Sequence, residues 1–415
     1  LRPTPLACWL VGEWLHDQGL QLLNIFTDLA SHDKAFYSPI IETWARRLSY
    51  MQDNPDAKEL YAELTKLNGG PFASEDVLCS DFGSRLILAM CTVNPVAIVD
   101  CLYEILFPMP VEKLRERLQG DARRNIVMTL ERLCFCKDSF HKAACLTARL
   151  ALAENESWAN NSRGQFLQLF HIALAGTECD FSSRLKVIKE LAEEEEYIPL
   201  LLSAIKGAFS FHGLSRMGGA EKFGFREMQD FIPTWTQIDA YWNSLYDILD
   251  QWMNRDASLV PSVADIVSSN VRMFTTSNRG KLLFRFLENI APRLDYRWDL
   301  MHKALIETKN YDHLTNETLT NVQAWIEKLT PKHIITRMRD AVHDMYSRTK
   351  DANDMLKQEE SIVLPYVKEF VEGKAYLGEE MTEIMDNNKD YLSWAFINNL
   401  ANMLPEKEIP DVCLF

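Results

Sequence analysis

The sequence predicts an all-α protein, built as a right-handed α-solenoid of degenerate HEAT- or TPR-like helical pairs. Three observations carry this. Apolar residues recur at helical spacing from end to end, as at 22, 23, 26, 29 and 30 in the first strongly periodic stretch. Alternating runs of β-branched residues long enough for a strand are absent. Glycine supplies only 16 of 415 residues, too few for a chain of many tight turns and hairpins.

Each element follows from the same pattern. Residues 182–192 carry a stripe of Leu185, Val187, Ile188 and Leu191, with Ser182 or Ser183 as the expected cap. Pro199 then opens a nearly all-apolar helix to Phe209, where a proline in the first turn costs no hydrogen bond. An amphipathic helix followed by a more apolar one is the unit of a stacked array, because the second is buried on more sides. Further helices are expected at 139–152, 163–175, 278–290, 296–309, 317–329, 332–346, 362–372 and 391–404, most of them bounded by a cap or breaker such as Gly120-Asp121, Ser162, Pro292 or Gly373. No strict repeat length recurs. Three segments are expected: an N-terminal helical segment 1–152, central repeats 153–292 and C-terminal repeats 293–415.

Charge narrows the partners. The formal net charge is −15, and basic minus acidic residues amount to −3, −5 and −7 over 1–150, 151–290 and 291–415. Nucleic-acid binding needs a dense Lys/Arg stripe to displace counterions, so nucleic acid is not the expected ligand. The longest charge run, Glu193–Glu196, reads as a solvated helix end. Nine cysteines lie scattered in apolar segments, and Cys134 and Cys136 lack Cys-x-x-Cys spacing, so free thiols in a reducing cytoplasm are expected. No apolar run is long enough to span a membrane, and neither a membrane span nor a signal peptide is expected. The chain begins at Leu1 and is expected to be a piece of something longer.

No motif for catalysis, cofactor or metal emerges. Gly213 and Gly218 have phosphate-loop spacing, but Gly219 and Ala220 follow where Lys and Ser or Thr would reach the phosphates. Arg297…His302 and Arg337…His343 match the Arg/His spacing of a helical ribonuclease only as often as chance supplies. His16, His32, His141, His171 and His212 read as isolated, and no His-Glu-x-x-His occurs. The aromatic series Phe231, Trp235, Tyr241, Trp242, Tyr246 and Trp252 reads as the core stripe of one helix.

One irregular stretch stands out. Residues 212–236, with Gly207 counted alongside, hold five of the sixteen glycines and end in Ile232-Pro-Thr-Trp235. Arg216, Gly218, Gly219, Glu221 and Trp235 are its candidate interaction or structural residues. Two roles are open. Arg216 and Glu221 could tie the loop to the array while Trp235 fills the core, or the loop could be a contact surface.

Two stretches carry a resemblance. Arg2-Pro-Thr-Pro-Leu-Ala7 with Trp9-Leu10 and Trp14-Leu15 resembles the segment after the ATPase and winged-helix part of bacterial STAND-like (NACHT/AAA-type) P-loop NTPases. Ser215-Arg-Met-Gly-Gly-Ala-Glu221 with Gly224, Ile232-Pro-Thr-Trp235 and Tyr241-Trp242 resembles the helical-repeat half of the same proteins. The resemblance implies a non-catalytic sensor or scaffold region of a signalling or defence ATPase, binding a protein partner or packing on the ATPase module. The phosphate loop and its acidic partner are missing here, so ATP hydrolysis does not carry over. The rival readings are a HEAT-like nucleic-acid enzyme such as a DNA repair glycosylase, and a stand-alone helical scaffold.

Overall fold

A computed structural model describes residues 9–19, 21, 49–158, 160–211, 222–223, 226–277, 279–330, 352–373 and 394–404, with single positions between 334 and 342. Among the described residues the chain is helical throughout, apart from a two-residue antiparallel ladder. No helix among them is long and apolar enough to cross a membrane. The chain divides into two compact units, Leu1–Ile266 and Val267–Phe415.

In the first unit, helix 9–19 precedes α1 (Pro55–Leu64), α2 (Glu75–Leu78), α3 (Asp81–Met90), α4 (Pro95–Leu106), α5 (Val111–Arg117), α6 (Gly120–Phe135) and α7 (Lys137–Leu152). Local chemistry sets the starts. Asn54 and Asn94 cap α1 and α4, each followed by a proline whose missing N–H would have had no helical partner. Ser74 and Ser80 cap α2 and α3. After α7 come α8 (Ser162–Gln168), α9 (Phe181–Leu191), α10 (Ile198–Ala208), a ladder of β1 (Lys222–Phe223) with β2 (Arg226–Glu227), and the long α11 (Trp235–Arg255). The helix α12 (Val260–Ser269) contains the junction between the units.

Packing runs in sequence order. The helix α3 lies on α6 and α4 on α7, and α7 in turn touches α8, α9 and α10. The core is aliphatic with large aromatics: Tyr61, Phe72, Phe140, Phe166, Phe170, Tyr197, Phe209, Tyr241 and Trp242 are all fully buried. Burying so much apolar area is what makes helices of ordinary propensity stable. Two arginines, Arg123 and Arg184, are buried as completely.

Several boundaries differ from the sequence reading. The cap of α9 is Asp180, whose side chain accepts the Ser183 N–H, while Ser182 and Ser183 donate their hydroxyls to it. The helix expected over 163–175 ends at Gln168, and the chain turns through Leu174 and Gly176, both at positive φ. Gly207 belongs to α10, not to the irregular stretch. A Cβ there would stand 3.0 Å from His171 Nε2, so the glycine serves close approach. The helices expected at 139–152 and 199–209 are present within two residues.

In the second unit, α13 (Val271–Thr276) packs on α14 (Gly280–Ile290) and α15 (Asp299–Tyr311), and α15 on α16 (Asn316–Leu329). The helices α17 (Ala352–Glu372) and α18 (Trp394–Met403) share a core of Val363, Val367, Phe370, Phe396 and Leu400 with Ile334 and Met338.

Candidate functional site

Of the residues the sequence singled out, Arg216, Gly218, Gly219 and Glu221 lie outside the described residues. The chain on both sides of them is firmly held. Before them, Phe211 meets the Trp242 ring edge-on at 5.6 Å. After them, the β1–β2 ladder pairs Lys222 with Glu227 and Phe223 with Arg226. Met228 then packs on Phe135 and Cys136, Asp230 Oδ2 accepts the Gly176 N–H, and the Phe231 N–H donates to Thr177 O at 2.9 Å. Thr234 and Gln237 close a reciprocal capping box that starts α11.

Trp235 corrects the expectation of a core anchor. It is the first residue of α11 and is 59% exposed, touching Phe211 at 5.4 Å between ring centroids. Ile232, three residues earlier, is 87% exposed. Phe231 also departs from the reading, since it precedes α11 and is half-buried, whereas Tyr241, Trp242, Tyr246 and Trp252 are buried along the helix. Tyr241 donates to Phe170 O at 3.1 Å and its ring stacks on Phe181, while Trp242 donates to Ala208 O at 2.9 Å. So the stripe runs along α11 up to its first turn, where Trp235, like Ile232 just before the helix, faces solvent instead.

Beneath this surface sits Arg184 of α9. Its guanidinium donates to Cys179 O and His171 O and lies against the rings of Phe181 and Phe231, 5.2 and 5.7 Å from their centroids. Burial lowers its pKa, opposed by Tyr241, Cys179 and the acids Asp230 and Asp180. Burial, and secondly the Arg184 charge, also lowers the pKa of His171. The cation therefore ties the 171–180 turn, α9 and Phe231 together.

The remaining sequence candidates resolve simply. Glu193–Glu196 are exposed, with Glu196 paired to Arg149 at 2.5 Å. His302 is buried, 3.5 Å from the Thr330 hydroxyl, so it is not on a solvated face. The described cysteines are free thiols. His141 is not isolated: its Nε2 lies 2.8 Å from Glu190 Oε2, and Cys145 completes a group of potential ligands. The half of this group on α7, His-x-x-x-Cys, was visible in the sequence as residues one turn apart; Glu190 was not, being 45 positions on.

Comparison with known proteins finds no matching family model, no matching curated protein and no matching solved structure.

Proposed function

We propose that this chain is a non-catalytic α-solenoid region of a larger signalling or defence ATPase, working in the cytoplasm and binding a protein partner at the Ile232–Trp235 surface. The exposure of these two side chains is the observation that carries the reading. A tryptophan and an isoleucine left in water at the head of a helix whose other large aromatics are buried is the kind of apolar anchor that binding surfaces use. The capping box fixes the start of α11 and the Arg184–Phe231 contact fixes the residue before Ile232, which lowers the ordering cost of association. The packing of α3 on α6 and of α4 on α7 supports a repeat array, since such arrays couple mainly nearby helices. A net charge of −15 favours a basic partner over a polyanion.

Placing a photo-crosslinking amino acid at 235 in the protein produced in its own cells tests the reading. A protein partner, or an ATPase module of the same polypeptide, is the expected adduct. Adducts to nucleic acid or lipid alone, or none, overturn it. In parallel, Trp235→Ala is expected to change stability by less than about 0.5 kcal/mol, as surface substitutions do. It should weaken the partner so identified by roughly thirtyfold, the scale of an interface hot spot. Urea unfolding and calorimetry read the two effects separately.

A further inference from the structure

We propose that His141 and Cys145 of α7, with Glu190 of α9, form a binding site for a zinc-class divalent cation. The inference stands apart from the partner-binding surface and shares no residue with it. A spacing of four on α7 puts His141 and Cys145 on one face, one turn apart. The helix α9 packs against that face, and its last turn brings Glu190 to the imidazole. The donor atoms of all three residues lie within 4.8 Å of one another. Ligands around a tetrahedral zinc ion, with bonds of about 2.0–2.3 Å, stand roughly 3.5 Å apart, so side-chain adjustment of about 1 Å closes the site.

The donor set chooses the metal. One sulfur, one imidazole nitrogen and one carboxylate suit a borderline-soft ion better than magnesium or calcium, which want oxygen alone. Cys145 is fully buried and forms the floor, whereas the His141 and Glu190 side chains are 34% and 45% exposed and form the mouth. Three protein ligands with an open outer side leave the fourth position to water or to a partner's side chain.

Two simpler accounts leave part of the arrangement unexplained. A half-exposed His–Glu pair contributes little to stability and has no need of a thiol beneath it. Nor is Cys145 set up as a nucleophile, because burial, with Glu190 adding to it, pushes the thiol up to about 12. A bound cation reverses that balance. The S–H bond breaks, the sulfur electron pair goes to the ion and the proton leaves to solvent. The ionisable groups near the thiol include Glu190 and Lys186 of α9, Tyr103 of α4 and Cys134 of α6. Cation uptake should therefore release a proton, and affinity should rise about tenfold per pH unit from this thiol while it stays protonated.

Titrating the chelator-stripped, full chain with cobalt(II) tests the site. One equivalent should produce tetrahedral visible bands and a near-ultraviolet thiolate-to-cobalt band, both erased by one equivalent of zinc. Cys145→Ser should abolish the charge-transfer band. Glu190→Gln, on a half-exposed side chain, should keep the helical circular dichroism and weaken cobalt at least tenfold. Absence of the band at one equivalent, its survival in Cys145→Ser, or undiminished affinity in Glu190→Gln overturns the proposal.

Discussion

Trp242→Ala is expected to destabilise the first unit by about 3–5 kcal/mol, the cost of removing a large aromatic from a packed core. The side chain is fully buried, meets Phe209 and Phe211 edge-on at 5.9 and 5.6 Å, and donates its indole N–H to Ala208 O. That acceptor is a carbonyl at the C-terminal end of α10, which has no partner within its own helix. The substitution therefore opens a cavity and strips a helix end of its donor at the same time. Trp242→Phe separates the two effects, keeping much of the volume and losing only the hydrogen bond, at about 1–3 kcal/mol. Urea unfolding followed by circular dichroism, with Trp235→Ala as the exposed control, reads the difference. If Trp242→Ala costs no more than Trp235→Ala, the packing of α11 described here is wrong.

The pair also shows what the sequence could and could not say. Positions 235, 242, 246 and 249 are separated by seven, four and three, so periodicity places all four on one helix face. Periodicity is silent about where the neighbouring helices stop. Trp235 occupies the first residue of α11, past the end of the packed stretch, and the same spacing that buries Trp242 leaves it in water. The cap of α9 was misread for a related reason. Serines and aspartate are all good caps, and only the geometry reveals that Asp180 accepts while the serines donate to it. Helix class and most spans were legible because they rest on local pattern. The His141–Cys145–Glu190 group and the Arg184 contacts depend on which helices meet, and one sequence carries no direct signal for that.

The polar loop after α7 is expected to hold the second large effect. Glu154→Gln should cost about 3–5 kcal/mol, because it leaves the fully buried Arg123 without its counter-charge. Glu154 Oε1 lies 3.0 Å from Arg123 Nη2 and 3.2 Å from its Nε, and it also accepts the backbone N–H groups of Asn155 and Glu156. Oε2 accepts the Ser162 hydroxyl and the Arg163 N–H. One carboxylate thus joins the start of the 153–161 loop to the first turn of α8 and pins both to α6, with Arg123 adding bonds to Leu150 O and Ser162. Burial alone would raise the carboxyl pKa, but Ser162, Arg123 and the two backbone donors outweigh it and hold it below the usual range. The sign follows. A folded-state pKa below the unfolded value of about 4.3 gives stability that is present above that pH and lost as pH falls through the folded value. The gap between the wild-type chain and Glu154→Gln should accordingly be full at pH 7 and shrink below about pH 4. Adding Arg123→Met should recover part of the loss, since an apolar side chain leaves no buried charge to compensate. Unfolding midpoints of the two single variants and the double variant at pH 7 decide it: a Glu154→Gln cost below about 1 kcal/mol, the scale of an exposed pair, would mean that this carboxylate does not hold the loop.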